Sequence, residues 1–256
     1  MSNLNFSAKI QQVSRERESN IVLALDLPFE NLANRDKLFL KATKILEDVQ
    51  PYICAVKINR HLILPLDPDK IKELVEKVHD YGIPAIMDCK INDIGSTNQV
   101  IAQYYYSMGF DCLTANPFIG WSDGLEPVFK IAENLQRGVI LLVYMSHKGA
   151  EEGYGQKIVD VETGVKTLQY MVFARKALKW NADGAVVGAT YPEKIREIYM
   201  ILKGKIPIFS PGIGVQGGKI KDALNAGAKY LIVGRAITLS EKPAETAEKI
   251  KNLAKT

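Results

Sequence analysis

Short apolar runs recur along the chain at residues 21–25, 53–58, 85–87, 112–115, 139–145, 185–187, 206–209 and 230–233, with amphipathic stretches between them. The stretch 70–81 is the clearest of these, because Ile71, Leu74, Val75 and Val78 recur at helical spacing on one face. Strand alternating with helix predicts parallel strands joined by right-handed crossovers, and eight such units close into a (β/α)8 TIM barrel. An open doubly wound sheet is the other arrangement of the same elements. The polar residues favour the barrel. Asp26, Lys57, Asp88 with Lys90, Asn116, Ser146 with His147, Ser210 and Arg235 stand at or just past the ends of different apolar runs, where barrels place their chemistry. Strands that simply turn polar on reaching solvent account for an occasional Asn or Ser, but poorly for several charges.

Length and composition narrow the picture. At 256 residues the chain fits one barrel domain over 1–256, with residues 1–20 a polar N-terminal extension or helix. That stretch lacks the apolar centre of a signal peptide, and the run 139–145 is far short of the roughly 20 residues that cross a bilayer. A formal charge of +4 without a basic block gives no reason to expect nucleic acid or a membrane as partner. Cys54, Cys89 and Cys112 lie in or beside predicted strands and read as reduced core thiols of a cytoplasmic protein. The segment 149–160 reads as a mobile loop. His61, His79 and His147 are scattered and form no metal set, and His79 falls on a predicted helix as a surface residue. No cofactor is indicated, since no dinucleotide fingerprint follows the first run.

Two clusters carry candidate chemistry. Directly after the third run, Asp88, Lys90 and Asp93 crowd two carboxylates and an ammonium into six positions. Two positions apart on a strand means one shared face, so Asp88 and Lys90 are expected to project together, with Asp93 in the following turn and Lys57 alongside from the neighbouring strand. Carboxylates favour the charged form of a lysine between them, which then donates protons rather than attacking carbonyls. A purely structural reading is an ion-pair network, but burying one so dense is costly. The second cluster follows the seventh and eighth runs. Residues 212–218 hold four glycines around Gln216, and Gly234-Arg235 brings a guanidinium to a helix start. Glycines let backbone N–H groups face an anion, and these two loops are where barrels bind phosphate.

The strings ALDLP, AVKIN, MDCKINDIGSTN, YMSHKGA, SPGIGVQGG and IVGRAI, in this order along nearly the whole chain, resemble the orotidine 5′-phosphate decarboxylase family. The resemblance implies a phosphate-binding barrel that converts orotidine monophosphate to uridine monophosphate and carbon dioxide without metal or organic cofactor. It further implies that Lys90 protonates C6 of the pyrimidine and Asp88 faces the departing carboxylate, while Lys57 and Asp26 contact the ribose and the charge array. Ser146 would bond the base and Pro211 border it; Gln216, Gly234 and Arg235 would hold phosphate, and Ile94 would line the pocket for carbon dioxide. Family members are dimers in which the equivalents of Asp93 and Thr97 reach into the partner's site, whereas the residues alone put Asp93 in its own. The chain departs from the commonest pattern at Asn92, Gly95, Asn59-Arg60-His61 and Asn116-Pro117-Phe118.

The nearest rivals are the Mg2+-dependent sister enzymes of the superfamily, 3-keto-L-gulonate 6-phosphate decarboxylase and hexulose-phosphate synthase. These share Asp-x-Lys-x-x-Asp but carry glutamate at the second strand end, where this chain has Lys57. A Schiff-base aldolase would need a neutral lysine. A non-catalytic nucleotide-binding barrel gains nothing from setting Asp88 beside an anionic ligand.

Overall fold

The computed structural model describes residues 4–28, 31–214 and 217–255. Eight parallel strands close into a barrel in the order β1 (Ile21–Leu25), β2 (Ala55–Asn59), β3 (Ala85–Ile91), β4 (Cys112–Ala115), β5 (Gly138–Tyr144), β8 (Gly184–Val187), β9 (Ile208–Pro211) and β10 (Tyr230–Val233), with β10 pairing back to β1. Each strand contains or overlaps one of the eight apolar runs. The open-sheet alternative is therefore excluded. Helices such as Arg35–Val49, Pro68–Asp80, Gly95–Ser107 and Gln169–Lys179 pack outside, the second burying Ile71, Leu74, Val75 and Val78 as its spacing predicts.

A strand's two faces separate two cores, because successive side chains point in opposite directions. Ile21, Leu23 and Leu25 of β1, Val56 and Ile58 of β2, Met87 of β3 and Leu113 of β4 belong to the outer core beneath the helices. Val22, Ala24, Ala55, Ile86 and Cys112 belong to the inner one. Continued toward the carboxyl ends, that inner parity puts Asp26, Lys57, Asp88 and Thr114 inside the barrel mouth. Apolar packing thereby fixes where the polar groups point.

The opposite mouth is plugged by the helix Phe6–Glu16, whose Phe6, Ile10 and Val13 join the inner core. Phe6 lies so close to β5 that a Cβ on Gly138 would meet its ring at 2.5 Å. Polar bonds anchor the same helix. Lys9 Nζ reaches Asp111 Oδ1 at 2.9 Å, and Ser7 Oγ donates to Asp183 Oδ1 at 2.7 Å. Buried Asp111 also binds Arg137 Nη1 at 2.8 Å and His79 Nε2 at 2.8 Å, and accepts the Ala85 N–H. His79 is thus no plain surface residue, because the helix that carries it leans its imidazole onto Asp111.

The segment 149–160, expected as a mobile loop, instead holds the short helix Ala150–Gly153 and the start of an antiparallel hairpin, β6 (Lys157–Val159) with β7 (Lys166–Leu168). The Asp160 carboxylate, bonded to Arg175 Nη2 at 3.1 Å, ties the hairpin to the following helix. Among the described residues, no helix is long and apolar enough to cross a membrane.

Candidate active site

Asp88 is the hinge of the charged cluster. It is buried near the end of β3, and its two oxygens are divided between two lysines: Oδ2 accepts from Lys57 Nζ, and Oδ1 lies 2.8 Å from Lys90 Nζ. Thr114 Oγ1, from β4, donates to the same Oδ1 at 3.0 Å. Asp26 Oδ1, from the end of β1, stands 4.0 Å from Lys57 Nζ. That oxygen is buried and has no hydrogen-bond partner among the described residues. Burial pushes the Asp88 carboxyl up, but the charges and hydrogen bonds of Lys57 and Lys90 outweigh it and hold the group well below the usual carboxylate range.

Lys90 reaches this position by a route that two-residue alternation does not foresee. Its backbone is left-handed, with φ 49°, and the pairing of β3 with β4 shifts between Met87 and Ile91. The shared face expected for Asp88 and Lys90 is therefore replaced by a bulge, yet the ammonium still meets the carboxylate. Bulges re-aim side chains next to functional sites.

Above the cluster opens a cleft of about 740 Å3, lined by Asp26, Lys57, Ser146, Pro211, Gly234 and Arg235 among others. Gly212 at its rim has φ 94°, and a Cβ there would press on Thr190 Oγ1 at 3.3 Å, so the turn after β9 needs glycine. Arg235 opens a single helical turn, Arg235–Thr238, and its side chain is exposed toward the cleft. His61 and Lys219 also line it, and neither received a role from the sequence. Gln216 lies outside the described residues.

Asp93, Ile94 and Thr97 do not line this cleft; all three are exposed. Asp93, expected in the turn after Asp88 and Lys90, forms no ion pair among the described residues. Its turn is held from below. The fully buried Asn98 accepts the Asp93 N–H at 3.1 Å and donates to Gly124 O at 3.0 Å. Gly95, one of the departures from the common pattern, sits where a Cβ would come within 2.9 Å of the Asp123 backbone. Asn116 caps the turn after β4, accepting the Phe118 N–H at 3.1 Å, and His147 is exposed.

Thr114 and Asn98 escaped the sequence reading. The signal for Thr114 was a lone hydroxyl in the otherwise apolar run CLTA, one strand over from Asp88. Among the described residues, no group of three His, Cys, Asp or Glu side chains is placed to hold a metal ion.

A closed (β/α)8 barrel with a Lys-Asp-Lys cluster at its mouth and a glycine-lined, arginine-bearing rim beyond it defines a phosphate-binding TIM barrel of enzymatic type. Residues 19–250 match the "Orotidine 5'-phosphate decarboxylase / HUMPS family". The orotidine 5′-phosphate decarboxylase of Methanosarcina barkeri is 36% identical over 235 residues, covering 92% of this chain and 94% of the relative. That of Pyrococcus furiosus is 37% identical over 233 residues, covering 90% and 95%. The crystal structure of orotidine 5′-monophosphate decarboxylase from Methanocaldococcus jannaschii, complexed with the inhibitor BMP, superposes with a TM-score of 0.76 at 33% identity over 93% of this chain and 99% of that one. The chain belongs to the orotidine 5′-phosphate decarboxylase / HUMPS family.

Proposed function

We propose that this chain decarboxylates orotidine 5′-monophosphate to uridine 5′-monophosphate and carbon dioxide with its own side chains alone. The observation that carries the reading is the buried Asp88 clamped between Lys57 and Lys90. Loss of carbon dioxide from C6 leaves an electron pair in the ring plane, where the π system does not delocalise it. Stabilisation must then come from a fixed charge nearby. Lys90, held in place by Asp88, supplies that charge and then the proton that replaces the carboxyl group. At an effective dielectric of about 20, two unit charges 4 Å apart attract by roughly 4 kcal/mol, about three powers of ten in rate if confined to the transition state. The remainder is assigned to binding energy gathered at the far end of the ligand.

That far end is the rim formed by the turn after β9 together with Gly234 and Arg235, where the phosphate binds. Asp26 Oδ1, buried and lacking a hydrogen-bond partner among the described residues, accepts a ribose hydroxyl beside Lys57. Ser146 hydrogen-bonds the base and Pro211 borders it, both from the cleft lining. Lys57 separates this reading from the Mg2+-dependent sister enzymes, because an ammonium at the second strand end repels a cation that glutamate would hold.

The active form is a homodimer in the cytoplasm. Asp93, Ile94 and Thr97 are exposed around the start of the helix Gly95–Ser107, Ile94 by 61%, and a second subunit covers this surface and receives the Asp93 carboxylate. Buried, unpaired Cys54, Cys89 and Cys112 suit a reducing compartment.

Mixing the purified protein with orotidine monophosphate in EDTA and following orotate absorbance tests the reading. Turnover that survives chelation is expected. Turnover only on adding Mg2+ points to the sister enzymes, and binding without turnover to a sensor.

A further inference from the structure

We infer that Thr114 is a positioning residue for the reaction, its hydroxyl fixing both the left-handed turn at Lys90 and the Asp88 oxygen that faces the Lys90 ammonium. The inference rests on the decarboxylase reading for its kinetic consequence, but not for its geometry.

Three observations meet at this hydroxyl. Thr114 Oγ1 accepts the Lys90 backbone N–H at 2.9 Å. It donates its single proton to Asp88 Oδ1 at 3.0 Å, the oxygen that lies 2.8 Å from Lys90 Nζ. The side chain is 1% exposed, so water does not take its place. One hydroxyl carries one proton and two lone pairs, so donation to the carboxylate leaves a lone pair free for the amide. Both bonds are then satisfied at once.

The position needs such a device. A lysine at φ 49° adopts a conformation disfavoured for residues with a Cβ, and it persists only where its surroundings over-determine it. The pairing of β3 with β4 is interrupted here, between Met87 and Ile91, so the regular ladder does not supply a partner for the Lys90 N–H. Thr114 supplies it from β4. The same bond sets the origin of the Lys90 side chain, and the bond to Asp88 orients the carboxylate that receives the ammonium. Misplacing a catalytic group by a fraction of its contact distance lowers rate without removing the group.

Thr114→Val keeps the volume and removes both bonds; Thr114→Ser keeps both bonds and removes a methyl. In orotidine monophosphate turnover, Thr114→Val is expected to lower kcat by roughly 10- to 100-fold with KM and affinity for uridine monophosphate little changed, and Thr114→Ser to recover most of the rate. Equal impairment of both variants, or an effect on KM alone, would overturn the assignment, as would wild-type kinetics in Thr114→Val. If Thr114→Val does not yield folded protein, Thr114→Ala takes its place in the same comparison. A crystal structure of the valine variant reads the geometry independently of activity. Lys90 is expected to leave the left-handed region there, and Lys90 retaining φ near 49° with its ammonium still on Asp88 would sink the inference. Should the unaltered chain fail to turn over orotidine monophosphate, the decarboxylase reading falls, and this geometric comparison alone decides the role of Thr114.

Discussion

At the scale of single residues, the site is a carboxylate kept ionised by two ammonium groups. Asp88, Lys90 and Lys57 were legible in the sequence because charge crowded beside an apolar run has no cheap structural explanation. Thr114 was not, since a threonine in a strand is ordinarily a packing residue and its partners lie 24 and 26 positions away. The left-handed Lys90 was likewise invisible, because nothing in a lysine marks a bulge. The depressed Asp88 carboxyl carries a consequence for stability. A carboxyl whose folded value lies below its unfolded value of about 3.9 stabilises the fold above that pH, and this contribution is lost as pH falls through the folded value. Unfolding by urea between about pH 4 and pH 2.5 is therefore expected to show a shallower dependence on pH in Asp88→Asn than in the unaltered chain, by up to about 1.4 kcal/mol per pH unit. Equal slopes would show that Asp88 takes up no proton on unfolding in this range.

At the scale of elements, apolar periodicity located all eight barrel strands and the helix Pro68–Asp80, because burial on both strand faces leaves continuous apolar runs. It failed where order comes from polar anchoring. The hairpin of β6 and β7 is short, its Val159 and Val165 are more than half exposed, and its attachment through Asp160 and Arg175 is a pairing across 15 positions. The helix Phe6–Glu16 was readable as polar, but its role as the barrel plug depends on Asp111 and Asp183, far along the chain. Phe6→Ala is expected to destabilise the fold by about 3–5 kcal/mol in urea unfolding, because the ring fills the barrel floor against Gly138. The kcat at 25 °C is expected to hold, since the plug and the cleft occupy opposite mouths. A loss below about 1 kcal/mol would mean that the floor collapses around the gap.

For the whole molecule, the barrel brings residues at the ends of β1, β2, β3 and β4 into one cluster and sets the glycine- and arginine-bearing rim of the last two barrel strands beside the same cleft. One group of the proposed machinery, Asp93, is exposed and outside the lining of the cleft, and a single chain's sequence gives no measure of what lies across an interface. Mixing two inactive proteins, Lys90→Ala and Asp93→Ala, is expected to restore activity to part of the sites in hybrid dimers, because some sites then draw both intact groups from different subunits. No recovery in verified heterodimers would place Asp93 outside the reaction or the site within one subunit. The most direct measurement concerns the ammonium on which the chemistry rests: turnover of orotidine monophosphate by Lys90→Ala, with uridine monophosphate affinity measured on the same preparation. Turnover is expected to vanish while the nucleotide still binds; a rate near that of the unaltered protein would contradict Lys90 as the proton donor.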